Sequence, residues 1–415
     1  MGKKAVLIGC NYAGTQAELQ GCITDVKRMY RCLVDRYGFL DEDIKVLIDT
    51  KDSCTQPTGR NIFQALIDLV SSAKSGDVLF VHYSGHGVRL PVEASDTDDT
   101  GYDECIVPSD FNLIHDHDFR ELVEQVPHGC RITIVSDSCH SGGLIHEAKE
   151  QIGLSYNVRS NKNRNNTEEQ EDSGSGFGFT SFLFKIAENV LESCSICLPF
   201  GLWQKGLEDE VEEEQEKEVE EVNYTRGPRF KNRSLPLPTL VDILKQKSDK
   251  KDIDVVEIGP TVLDIFGESS SPKVKDFKDV RGGDSAFLGM VVNLNREFPL
   301  QKLQKDSDDT DPTIETEVEW NEDEYARSQK PELPQNGILI SGCQTYETSA
   351  DATPVRNQAY GALSNAIQKV IEESDGVVSN LELVLQVRRL LKLQGYSQNP
   401  GLYCDDNHAH SAFVC

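Results

Sequence analysis

Two segments of this 415-residue chain end an apolar run in residues able to do nucleophilic chemistry: FVHYSGHG, which contains His86, and IVSDSCHSGG, which contains Cys139. A free thiol with a pKa near ~8.5 is mostly protonated at neutral pH, and an imidazole that takes its proton turns it into a nucleophile. Small residues surround both side chains, so backbone N–H groups can approach a developing oxyanion; the donors expected are the amides of Gly87 and of Cys139 itself. Alone, a Cys at a strand end is usually a small buried hydrophobe, and a lone His says as little. The pair, each leaving an apolar run through a Gly-rich exit, points to acyl transfer by a thiol. His82, inside the strand pattern, and His140, directly after the thiol, read as supporting or structural residues.

For His86 and Cys139 to meet, their strands must be neighbours that open on the same edge of a sheet. In open α/β sheets the reactive groups gather beyond the carboxyl ends of the strands. The pattern allows this: KKAVLIGC, IKVLIDT, DVLFVHYSGHG and RITIVSDSC are apolar enough to read as central strands at 3–10, 44–49, 77–83 and 131–136, and amphipathic helical stretches separate the first three. A helix is expected near Asp118 to Gln125 before the fourth. From about Gly153 the pattern gives way to a polar, Gly- and Ser-rich stretch. Regular alternation returns with NGILISGCQ and two helices at roughly 356–373 and 380–394. The expected organisation is therefore a catalytic region over 1–152, an acidic, partly disordered linker over 153–334, and a region over 335–415 that completes the same mostly parallel sheet, an α/β/α sandwich.

The net charge of −28 makes a phosphate backbone a poor partner and lowers nucleic-acid binding among the candidate functions. Much of that charge sits in Glu208–Val222 and Asp306–Glu324, each with ten acids, and such blocks are solvated and extended. No apolar run approaches the roughly 20 residues that span a bilayer, and the start lacks a cleavable signal. Gly2 raises the question of myristoylation, but Val6 stands where Ser or Thr is needed. A soluble, cytoplasmic, monomeric protein without membrane contact is expected. The twelve cysteines follow no disulfide spacing, and the Cys194/Cys197 pair lacks the partners of a zinc site.

YSGHG and DSCHSG at this separation resemble the caspase-like cysteine peptidases, and SGCQTYETSAD resembles metacaspases in particular. The absence of an N-terminal Pro-rich or zinc-finger prodomain, with a long insert between the two parts, resembles plant type II metacaspases. The resemblance covers the first 150 and last 80 residues. It implies a caspase-like fold, no organic cofactor, protein or peptide substrates, and cleavage after Arg or Lys by Cys139 and His86. It also implies a first specificity pocket shaped by Cys22, Asp25, Ser84 and Asp137, and a carboxylate two residues before the nucleophile suits a guanidinium or ammonium. A role in stress responses and cell death is implied by the same likeness.

Members of this kind are typically stimulated by calcium and process themselves. Asp96, Asp98, Asp99, Asp103 and Asp116 offer the hard oxygen ligands that calcium prefers, without EF-hand spacing. His115 and His146 stand where the family usually has carboxylates, and imidazole is a poor calcium ligand, so weak affinity is expected. The basic island TRGPRFKNRSLPLPTL resembles the family's processing segment, with Lys231 before the cut, and is expected to fill the cleft until it is cut. Two other readings use the same residues: a catalytically silent, calcium-responsive binding platform, and a peptide ligase in which an amine captures the acyl-enzyme.

Overall fold

The computed structural model describes residues 2–91, 102–142, 144, 149–153, 229–248, 250–277, 336–344, 347–354 and 358–414. They all lie in one compact unit; a second unit, Ser160–Gly227, is outside the described residues.

Seven strands form the central sheet: β1 (Lys3–Gly9), β2 (Ile44–Ile48), β3 (Val78–Ser84), β7 (Arg131–Asp137), β8 (Glu150–Ile152), β10 (Gly337–Ser341) and β13 (Gly401–Cys404), in the order β2-β1-β3-β7-β10-β13-β8. The first five in that order run parallel, β13 runs antiparallel to them, and β8 pairs antiparallel with β13. β3 is buried at every residue, as a strand covered on both faces requires. The helices α1 (Cys22–Tyr37), α2 (Gly59–Ser71), α3 (Asp116–Glu124), α7 (Ala362–Glu373) and α8 (Asn380–Leu393) flank the sheet sequence. α1 shows why: Cys22, Val26, Met29, Leu33 and Tyr37 recur every three or four residues and are buried. It ends at Gly38, whose φ of 66° is left-handed, and α8 begins with a capping box between Ser379 and Glu382. The four strands expected before residue 140 and the C-terminal completion of the sheet are present.

Two smaller sheets frame the strand ends. One joins β4 (Gly87–Pro91), β5 (Tyr102–Ile106) and β6 (Ile114–His115); the other joins β9 (Arg229–Asn232), β11 (Ala350–Thr353) and β12 (Tyr360–Gly361) with β11 in the middle.

Residues 229–277, inside the stretch expected as linker, are folded. After β9 come α4 (Leu237–Lys247), α5 (Ile258–Phe266) and α6 (Pro272–Lys275). Leu235, Leu240, Ile243, Leu244, Ile258 and Val262 share a continuous core with Val88, Leu90, Ile106, Phe111 and Phe119. The spacing of Leu240, Ile243 and Leu244 was the signal for α4, but it stands beside a much longer charged tract.

Candidate active site

The site follows from one register. β3 and β7 are adjacent and parallel with Ser84 opposite Asp137, so the chain leaves both strands at the same edge. His86 and Cys139 each lie two residues beyond that pair. Both are buried.

The His86 ring is held by backbone. Nε2 lies 2.8 Å from the Ala17 carbonyl oxygen, which fixes Nε2 as the protonated nitrogen, and Nδ1 makes no hydrogen bond among the described residues. Burial lowers the imidazole to about 4 against the upward pull of the Ala17 and Arg233 carbonyls, so it is neutral at physiological pH. Tyr12 supports the same turn: its hydroxyl accepts the His86 N–H at 2.9 Å, and its ring centroid lies 5.0 Å from the imidazole. Tyr83 donates to the His86 carbonyl at 2.7 Å. No sequence signal marked the Ala17 carbonyl, because a backbone oxygen carries no residue identity.

Residues 229–235 lie in the cleft. β9 pairs antiparallel with β11, with Asn232 opposite Ala350 and Phe230 opposite Ala352. The chain then turns so that Arg233 N–H donates to the Ser349 carbonyl at 2.9 Å and the Arg233 carbonyl accepts the Gly87 N–H at 2.9 Å. Leu235 N–H returns to the Gly87 carbonyl, also at 2.9 Å. Gly87 is thus an amide donor to the carbonyl of the residue that enters the pocket, and a Cβ on it would run into the Cys139 carbonyl.

The Arg233 side chain is fully buried among acids. One terminal nitrogen donates to Ser84 Oγ and the Asp137 carbonyl, each at 2.8 Å, and lies 3.3 Å from the Asp137 carboxylate. The other donates to Asp25 and Asp351, each at 2.9 Å. Of the four residues expected to shape this pocket, Asp25, Ser84 and Asp137 touch the guanidinium. Burial pushes the thiol of the fourth, Cys22, far up while the Arg233 charge opposes it, leaving a neutral sulfur in the wall. Burial also pushes Asp25 up to about 6, against the guanidinium that lowers it. Asp351 was missed by the sequence reading. A lone Asp in SADATP carries no local sign that β11 brings it against α1, where it also accepts the Gln20 and Gly21 N–H groups at 3.0 Å.

Lys231, the residue expected before the cut, does not enter this pocket. Its Nζ donates to the Glu18 carbonyl at 2.8 Å and it is exposed. Alternation along β9 would put Lys231 and Arg233 on one face; what separates them is that β9 ends at Asn232 and the chain turns there, carrying Arg233 into the acids.

Asn232 braces the bond that follows. Its Oδ1 accepts both the Cys139 thiol, at 3.0 Å, and the Ser234 N–H, at 2.8 Å. Cys139 Sγ also accepts the Ser349 N–H at 2.9 Å, and His140 Nε2 lies 2.8 Å from Ser234 Oγ.

Of the expected calcium ligands, Asp96, Asp98 and Asp99 lie outside the described residues, as does His146. Asp103 lies 3.5 Å from His115, which holds its carboxyl below the ordinary range in spite of burial. Asp116 is pushed up to about 7, first by burial and then by Asp103, and its two oxygens accept the His117 and Glu104 N–H groups. Among the described residues no three acids, histidines or cysteines are grouped to hold a metal. No helix among the described residues is long and apolar enough to cross a membrane.

A thiol, a neutral imidazole and a converging amide around a peptide carbonyl are the parts of acyl transfer, and comparison with known proteins agrees. Residues 3–147 match the model of the metacaspase, peptidase C14 domain. The chain is 53% identical to Metacaspase-4 and 50% identical to Metacaspase-6, both of Arabidopsis thaliana, over 100% of each chain. Metacaspase-1 of Schizosaccharomyces pombe is 45% identical over 148 residues, 34% of this chain and 35% of that one. Similar from end to end to plant metacaspases, the chain belongs to the metacaspase family of cysteine peptidases, as a type II member.

Proposed function

We propose that this peptidase cuts after Arg or Lys, is made as a zymogen, and opens itself by cutting between Arg233 and Ser234. One observation carries the reading: the Arg233 guanidinium fills a pocket of three carboxylates while its own carbonyl accepts the Gly87 N–H beside the Cys139 thiol. Such a pocket suits a planar, charged fork, and a lysine would meet it with a single ammonium.

In this mechanism His86 Nδ1 takes the Cys139 proton and the sulfur adds to the Arg233 carbonyl carbon. The Gly87 amide holds the oxyanion. The carbon–nitrogen bond breaks as His86 returns the proton to the Ser234 nitrogen, leaving a thioester on Cys139. Water then attacks the thioester, giving its proton to His86 and releasing the thiol and a carboxylic acid. His86, neutral in the buried cleft, starts in the state a base needs. The Cys139 amide is the second expected oxyanion donor.

Calcium stimulation belongs to the same proposal only through the loop of Asp96, Asp98 and Asp99, which would have to complete what Asp103 and Asp116 lack. A calcium titration of peptide cleavage tests it, and tight micromolar activation would contradict the weak affinity expected from His115 and His146.

The function is tested by incubating full-length wild type and Cys139→Ala with fluorogenic peptides ending in Arg, Lys or Asp. Arg and Lys cleavage, absent in the variant, is expected. Cleavage after Asp, or cleavage that survives loss of the thiol, would overturn the reading.

A further inference from the structure

We propose that the cleft carries a second side-chain subsite, built by Tyr396, Tyr360 and Ala352, that takes an aromatic or large apolar side chain three residues before the basic residue at the cut. It rests on the peptidase reading above and specifies what else, besides the basic residue, that site recognises.

Phe230 is the observation that reveals it. The ring is half exposed, an unfavourable place for a phenyl group unless something covers one side. Tyr396 does: the two ring centroids are 5.2 Å apart at 69°, an edge-to-face pair. The floor comes from strand register. Ala352, in the middle strand, lies opposite Phe230 on β9 and opposite Tyr360 on β12, so the three residues form one row across the small sheet. A methyl group between two rings leaves the width that the Phe230 ring uses. Burial first, and then Tyr360, raises the Tyr396 phenol above its ordinary range, so the wall stands beside the edge of the floor.

These residues are held by the body of the protein, so the subsite outlasts removal of Phe230. Tyr396 N–H donates to the Leu391 carbonyl at 3.0 Å across Gly395, whose φ of 83° ends α8 and aims the next residue. Gln398, two residues on, accepts the Ala350 N–H at 3.0 Å and donates to the Gly342 carbonyl at 2.9 Å and to Ser349 Oγ at 3.3 Å. The loop that carries Tyr396 is thereby bonded to the strand that pairs with the segment. When β9 leaves, β11 presents an open edge, and an extended peptide adding there in the same register sets its first side chain over Ala352 and against Tyr396.

The test uses the full-length protein after it has processed itself and two fluorogenic tetrapeptides that differ only in their first residue, Phe-Lys-Asn-Arg and Ala-Lys-Asn-Arg. The wild type should favour the Phe peptide in kcat/KM by about three- to tenfold. Tyr396→Ala should bring the ratio close to one, and Tyr396→Phe, which keeps the ring and loses only the hydroxyl, should retain most of the preference. The ratio is internal to each variant, so a partly misfolded preparation lowers both rates and leaves it unchanged. A wild-type ratio of one, or a preference that survives Tyr396→Ala, overturns the subsite and leaves Arg cleavage standing. Hydrolysis of neither peptide, by a chain that also leaves itself uncut, overturns the peptidase reading and the subsite with it.

Discussion

The Gly87 amide donates to the Arg233 carbonyl oxygen at 2.9 Å, which places the Arg233–Ser234 bond where a peptidase would hold the bond it cuts. N-terminal sequencing of the processed protein should therefore read SLPLP, starting at Ser234. Arg233→Gln should slow this cut at least about 100-fold, since it removes charge-assisted bonds each worth roughly 1.5–3 kcal/mol. Lys231→Gln, at an exposed bond to a carbonyl, should slow it less than about threefold. A new N-terminus at Asn232 would restore Lys231 as the processing residue.

Asn232 should act as a brake. Its Oδ1 accepts the thiol proton that His86 must take and also the N–H of the leaving group, so the closed cleft holds both in an unreactive arrangement. Asn232→Ala is expected to speed self-processing by about two- to tenfold, the worth of a hydrogen bond or two. The time course of full-length chain on a gel measures it, and slower processing would show that Asn232 aligns the bond instead.

Asp351 is bonded to the guanidinium and lies outside the sequence-derived pocket set. Asp351→Asn keeps its shape and removes its charge. In the processed enzyme it should lower kcat/KM for Arg peptides by about 10- to 100-fold through KM more than kcat, because the bond is made in substrate and transition state alike. An unchanged KM would mean that Asp25 and Asp137 bind the guanidinium without it.

Acid should loosen the closed segment. Burial of His86 lowers it to about 4 from about 6.5, so the open form binds more protons across that window and the closed form loses stability as pH falls through it. The Arg233 charge lowers Asp25, so departure of that charge raises the carboxyl and pushes the same way. In Cys139→Ala, amide hydrogen exchange of residues 229–235, corrected for its intrinsic pH dependence, should show less protection at pH 5 than at pH 7.5. Greater protection at pH 5 would reverse the sign.

What local pattern could carry, the sequence carried. Apolar runs ending in SGHG and DSCHSG identified two strands and their reactive exits, because a strand buried on both faces must be apolar along its length and a Gly-rich exit interrupts it. Asp25, Ser84 and Asp137 came through resemblance, and they surround the guanidinium.

The remainder depended on how distant segments meet. Asp351 faces Asp25 across more than three hundred residues, and the Ala17 carbonyl that orients His86 is a backbone atom. Whether Lys231 or Arg233 enters the acids is decided by the register of β9 on β11 and by the turn at its end. A shift of two residues would keep the faces and put Lys231 where Arg233 lies, and composition is blind to that shift. The sequence by itself determined that a thiol and an imidazole leave neighbouring strand types through small residues. Only the tertiary structure decided which basic side chain lies between them, because burying a guanidinium requires carboxylates from α1, β7 and β11 to converge on it at once.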